Sequence, residues 1–86
     1  MATVDEFEAK VWDIEGIRIV IRASRATVIG DYEFQNAAQE TWRVTQWLEN
    51  RVTPCIATNE VLVVQGDGEE PHGRVILRTL RRGYAN

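Results

Sequence analysis

The chain has 86 residues and a formal net charge of −3, from 10 basic and 13 acidic residues. Hydrophobic residues make up 44% and charged residues 27%, a balance typical of a small globular domain. This composition excludes a collagen, a low-complexity tail and a fully disordered acidic segment. We therefore expect residues 1–86 to form one domain.

The cysteine content and the hydropathy of the sequence exclude further classes of protein. A single cysteine, Cys55, cannot form an internal disulfide, which argues against a secreted disulfide scaffold. Cys55 and His72 are too few for a four-ligand zinc site. No apolar run approaches the roughly 20 residues of a membrane span, and the acidic start is unlike a signal peptide. The sequence predicts a cytoplasmic protein with no membrane partner, metal or cofactor.

The N-terminal third is rich in β-forming residues. Segments 7–14 and 17–23 are separated by Glu15 and Gly16, a link suited to a tight turn, so we predict a hairpin. In its second strand Ile17, Ile19 and Ile21 share one face, which we expect to be buried. Trp12 would lie in the first strand of a sheet covered on both sides. Residues 26–29 could add a third strand.

The middle of the chain changes to a helical period. Asn36 and Gln39 have the spacing of a capping box, and Pro54 disfavours helix from Thr53 onward. The pattern predicts a central helix over 37–52. Residues 60–65 form a short apolar run, which favours a buried strand.

The C-terminal segment allows two structures. A strand over 74–84 would place arginine and apolar residues alternately on one face, whereas a helix gathers the four arginines on one side. Gly83 also suits the position after a helix end. We therefore predict an amphipathic helix over 74–82, with a strand as the alternative.

Together these elements predict an α+β fold. We expect a small single domain with a mostly antiparallel, three- to four-stranded sheet, made of the N-terminal hairpin and strand 60–65. The central helix 37–52 and the C-terminal helix 74–82 would pack on this sheet.

Trp47 is the strongest sequence signal for binding. On a helical wheel it lies off the apolar stripe, with Arg43 and Arg51 one turn before and after it. Tryptophan and arginine dominate interface hot spots, so an exposed Trp47 would anchor a partner. The alternative is a tryptophan covered by another segment of the monomer. We predict that Arg43, Trp47 and Arg51 form a partner-binding site.

Catalytic signals are weak. The chain has one serine, one histidine and one cysteine, Ser24, His72 and Cys55. Cys55 beside Pro54 is typical of a small buried hydrophobe, although a Cys55 or His72 enzyme stays formally possible. The acidic loop 66–73 has neither the calcium-loop nor the phosphate-loop spacing and is best explained as a solvated turn. We expect no enzyme and no catalytic residue.

The predicted function is therefore a non-enzymatic protein-interaction or adaptor module, which binds another protein or itself as a homodimer. The alternative is a nucleic-acid-binding domain that uses the arginine face of the last helix. The acidic balance of the whole chain argues against that alternative. The four arginines concerned are Arg74, Arg78, Arg81 and Arg82.

Overall fold

The computed structural model describes residues 2–56 and 59–84. Its elements, in chain order, are β1 (Ala2–Thr3), α1 (Val4–Glu15), β2 (Arg18–Ile21), β3 (Val28–Ile29), α2 (Val44–Trp47), a π-helical turn (Leu48–Val52), a 3-10 turn (Thr53–Cys55), β4 (Val61–Val64) and α3 (Leu77–Tyr84). The predicted α+β class is confirmed. None of the helices in this part of the chain is long and apolar enough to cross a membrane.

The first half of the predicted N-terminal hairpin is wrong, because residues 4–15 form helix α1. Thr3 caps it: the Thr3 side chain accepts a hydrogen bond from the Glu6 amide, and the Glu6 carboxylate accepts one from the Thr3 amide. Gly16 ends the helix at φ 67°, a left-handed conformation that glycine adopts without strain. The predicted turn at Glu15 and Gly16 is therefore a helix C-terminus.

The described residues form two antiparallel sheets of two strands each, not one sheet of three or four. β2 pairs with β4, and β1 pairs with β3. The strands predicted within 17–23 and 60–65 are confirmed as β2 and β4, and the possible strand at 26–29 is present as the short β3. Ile19 and Ile21 are buried, as the alternation in β2 predicts.

The central helix begins at Val44, so the start predicted at residue 37 is wrong. The Trp42 carbonyl accepts a hydrogen bond from the Leu77 amide at 2.8 Å, and the residue between, Arg43, bridges to Ile76. These bonds hold the chain before Val44 against the start of α3 and out of helix. The π-helical turn stops at the predicted residue, Val52. The prediction that Pro54 disfavours helix from Thr53 onward is wrong, because Thr53 keeps helical dihedral angles and a 3-10 turn over Thr53–Cys55 includes Pro54 near its start, where proline is tolerated.

Residues 77–84 are helical, so helix is the correct choice for the C-terminal segment. It begins three residues later and ends two residues later than predicted, and Gly83 lies inside its last turn. Gly83 meets the loop after β4: a Cβ built on Gly66 would lie 2.0 Å from the Gly83 carbonyl oxygen. This close approach places α3 beside the end of β4.

Candidate functional site

Trp47 lies at the centre of the core. Its relative exposure is 0%, and its indole Nε1 donates a hydrogen bond to the Tyr32 hydroxyl at 3.2 Å. The expected exposure of Trp47 is therefore wrong, and the alternative, a tryptophan buried within the monomer, is confirmed. A side chain with no solvent-exposed atoms cannot contact a partner of the folded domain.

The two arginines that flank Trp47 in sequence do not stack on its ring. Arg43 is exposed. The Arg51 guanidinium lies 4.3 Å from the ring centroid of Phe34 and 5.5 Å from that of Trp42. The structure thus does not bring the three predicted residues together on one exposed surface, and a contact role for Arg43 stays a prediction.

Arg51 instead points toward a buried carboxylate, that of Glu15, which is 2% exposed. Glu15 Oε2 accepts hydrogen bonds from Arg51 at 2.7 Å and from the Tyr32 hydroxyl, while Oε1 accepts from the Ala38 amide and from Arg81, each at 2.8 Å. Burial by itself raises the pKa of Glu15. The bonds from Tyr32, Ala38 and Arg51 outweigh burial, so the pKa lies below its ordinary value.

The Glu15 cluster is saturated. Its two carboxylate oxygens receive four hydrogen bonds, and the described part of the chain holds no buried side-chain nitrogen or oxygen without a partner. A carboxylate so fully bonded orients its neighbours but has no lone pair directed toward a ligand. We therefore assign the Glu15 cluster a role in stabilising the fold and no role in ligand binding or catalysis.

The four C-terminal arginines do not share one free face. Arg81 is committed to Glu15 and also donates to the Ala38 carbonyl, and Arg78 lies 3.5 Å from the Glu40 carboxylate. Arg74 precedes α3, and Arg74 and Arg82 are exposed. Arg74 and Arg82 form no ion pair with a residue that the structure describes, so two of the four predicted arginines could meet a phosphate backbone, and the nucleic-acid alternative stays a prediction.

Cys55 is not activated as a nucleophile. Its thiol donates to the Asp31 carbonyl at 3.4 Å, and burial, with the negative charges of Glu33 and Asp31, raises its pKa. His72 is exposed, and its Nδ1 accepts a hydrogen bond from the Arg74 amide. Within residues 2–56 and 59–84 no group of three or more potential metal ligands is present.

A patch of exposed apolar side chains lies on the side of the β2–β4 sheet that faces away from the core. Val20 pairs directly with Leu62, and Arg18 with Val64, so these side chains share one face. Val20 is 41% exposed, and Trp12 of α1, beside it, is 43% exposed. We call this surface the outer sheet face; its residues are Trp12, Arg18, Val20, Leu62, Val64 and Tyr84.

Trp12, Arg18 and Tyr84 are ordered by contacts with one another. The Arg18 guanidinium carbon lies 4.9 Å from the Trp12 ring centroid, and the Tyr84 ring meets Trp12 edge-to-face at 5.5 Å. The Tyr84 hydroxyl accepts a hydrogen bond from the Arg18 amide at 3.2 Å and donates to the Val64 carbonyl. Trp12 is therefore exposed but held in place.

Two hollows adjoin the Trp12–Arg18 pair. One, of about 410 Å³, is lined by residues of α1 and β2 and by Arg25, which bonds to Asp5 and Glu8. The other, of about 360 Å³, lies toward Gly66 and Tyr84. Both are lined by Trp12 and Arg18, so the pair forms a ridge with a depression on each side.

The sequence interpretation missed this surface because it placed Trp12 in a strand of a covered sheet. Two signals could have found it. Thr3 and Glu6 have capping-box spacing, and a helix from Val4 buries Val4, Phe7 and Val11 on one stripe, off which Trp12 falls.

Comparison with protein-family models, with curated proteins and with solved structures finds no match for this chain.

Proposed function

We propose that this chain is a non-enzymatic protein-binding module of the adaptor kind, working in the cytoplasm, and that its contact surface is the outer sheet face. The observation that carries the proposal is the exposed Trp12, 43% accessible and stacked against Arg18 beside exposed Val20. Contiguous apolar surface rimmed by polar groups marks interaction sites, and tryptophan and arginine supply much of the energy there.

Preorganisation supports the proposal. Contacts to Arg18 and Tyr84 hold the Trp12 ring while it is still exposed, so little side-chain entropy remains to be lost on binding. The ion pairs of Arg22 with Glu60 and of Arg25 with Asp5 and Glu8 provide a polar rim. Such a surface suits a protein partner, with a second copy of this chain as the competing occupant.

A matched pair of valine variants tests the proposal. Val20→Thr changes the outer sheet face, whereas Val28→Thr changes the most exposed large apolar residue, 57% accessible, on the separate β1–β3 sheet. We expect a partner captured by the wild-type protein to be retained by Val28→Thr and weakened at least roughly tenfold by Val20→Thr, the effect of a hot-spot contact. Equal retention by both variants, both folded by circular dichroism, would refute the assignment.

A further inference from the structure

Arg18 differs from most arginines of this chain in forming no ion pair with an acidic residue of the described ranges. Ion pairs with described acidic residues are made by Arg22, Arg25, Arg51, Arg78 and Arg81. Arg18 makes none within the described ranges, yet its guanidinium is fixed at 4.9 Å from the Trp12 ring. An oriented, unpaired guanidinium at the edge of an apolar patch is a site for a carboxylate, which it can bind through two parallel hydrogen bonds.

The surroundings of Arg18 restrict the number of negative charges that can bind. In the hollow between α1 and β2, Asp5 and Glu8 lie beyond Arg18, and Arg25 already pairs with both. A ligand with a row of negative charges would meet these carboxylates, whereas one with a single carboxylate would not. This charge pattern favours an acidic residue within an apolar segment over a polyanion such as nucleic acid.

The two hollows, both lined by Trp12 and Arg18, can receive apolar groups beside the carboxylate. In an extended segment, side chains two residues apart project from the same side. A carboxylate seated on Arg18 therefore leaves the side chains at positions −2 and +2 directed toward the hollows on either side of the Trp12–Arg18 ridge.

Resting on the proposed function, we infer that the outer sheet face binds an extended segment of a partner protein with one central carboxylate and an apolar residue two positions away on each side. Arg18 binds the carboxylate, and Trp12 with Val20 supports the apolar side chains. A second copy of the chain is disfavoured, because a two-fold contact centred on Arg18 would bring two unpaired guanidinium groups together.

Nuclear magnetic resonance tests the inference with a blocked pentapeptide, Val-Thr-Glu-Thr-Val, and its counterpart with glutamine in place of glutamate. At millimolar concentration we expect the glutamate peptide to shift the Trp12 indole N–H and the Arg18 and Val20 amides. The glutamine peptide should bind roughly tenfold more weakly, because it lacks the charge-assisted bond. Arg18→Gln should abolish this preference.

Arg22→Gln is the matched control, because Arg22 is also an exposed arginine near the outer sheet face but already pairs with Glu60. It should keep the glutamate preference. Equal binding of the two peptides, or no shift of Trp12 with either, overturns the inference. Shifts that depend on protein concentration without peptide assign the face to a second copy, and shifts with an oligonucleotide in place of the peptide assign it to nucleic acid; both overturn it.

The peptide titration and the valine variants separate the two proposals. If Val20→Thr alone weakens partner capture but the peptides bind equally, the protein-binding function stands and the acidic segment is wrong. If Val20→Thr and Val28→Thr retain the partner alike, the protein-binding function itself is wrong.

Discussion

Glu15 joins distant parts of the chain through a single carboxylate. It contacts Tyr32 and Ala38 in the connection between β3 and α2, Arg51 in the π-helical turn and Arg81 in α3. The guanidinium groups are partly buried, with side-chain exposures of 15% for Arg51 and 19% for Arg81. A buried charge is tolerated only when paired, so the two arginines depend on Glu15 as much as it depends on them.

Glu15→Gln should lower the free energy of unfolding by about 3–5 kcal/mol near neutral pH, because it leaves two partly buried guanidinium groups without their counter-charge. The pKa of Glu15 is lowered in the folded state from an ordinary value of 4.5. The stabilisation it provides is therefore present above pH 4.5 and is lost as the pH falls through the folded pKa. The wild-type and variant stabilities should converge there, which urea unfolding at neutral and acidic pH measures.

Glu49→Gln is the control for the Glu15 prediction. Glu49 is exposed, so its substitution should change the free energy of unfolding by less than about 0.5 kcal/mol. A difference between wild type and Glu15→Gln that stays constant or grows at acidic pH would contradict the assigned role.

At the scale of elements, helix α1 decides which side chains reach the outer sheet face. Its capping box at Thr3 and Glu6 fixes the helix start, and the start fixes the phase of the helical period. Phe7 and Val11 then lie in the core while Trp12 lies at the surface. A strand over the same residues would place Val11 and Trp12 on opposite sheet faces, with Phe7 on the same face as Val11.

Thr3→Ala should lower the free energy of unfolding by about 1 kcal/mol, because the Glu6 amide loses its side-chain acceptor. Thr41→Ala is the control, since Thr41 is exposed and caps no helix of the described chain. Chemical denaturation of both variants measures the effect. Equal unfolding midpoints would show that the Thr3 hydroxyl contributes nothing to α1.

At the scale of the whole molecule, a close backbone contact between Gly66 and Gly83 holds the last turn of α3 against the loop after β4. Gly66 follows β4, and Gly83 lies in the last turn of α3, next to Tyr84, which supports Trp12 and bonds to both Arg18 and Val64. Without this approach Tyr84 would not reach the outer sheet face. The candidate binding surface therefore depends on a backbone contact between segments far apart in the chain.

Gly66→Ala should lower the free energy of unfolding by about 3 kcal/mol, because the new Cβ would lie 2.0 Å from the Gly83 carbonyl oxygen and the backbone must shift. Gly83→Ala tests the other side of the same contact. Its Cβ would meet Gly66 only at 3.6 Å, and alanine is the better helix former, so it should be neutral or stabilising by up to about 1 kcal/mol. Thermal unfolding that lowers the midpoint equally for both would contradict this packing.

Several elements could be predicted from local pattern alone. The alternation of Ile19 and Ile21 with Arg18, Val20 and Arg22 indicates β2, the apolar run at 60–65 indicates β4, and the arginine period indicates a C-terminal helix. The end of the π-helical turn at Val52 also lies where Pro54 predicts it, although a 3-10 turn over Thr53–Cys55 follows. These predictions are correct because each depends on residues within one or two turns of one another.

The sequence by itself determined the α+β class, strands β2 and β4 and the helical nature of the C-terminal segment, since these follow from short-range periodicity. Only the tertiary structure decided that Trp47 is buried while Trp12 is exposed, because burial depends on which distant segments cover a side chain. Tyr32 bonds to Trp47, and Arg81 and Ala38 bond to Glu15, across separations that no local pattern records. The hydrogen bond from the Leu77 amide to the Trp42 carbonyl likewise holds the chain before Val44 out of the helix that its local pattern favours.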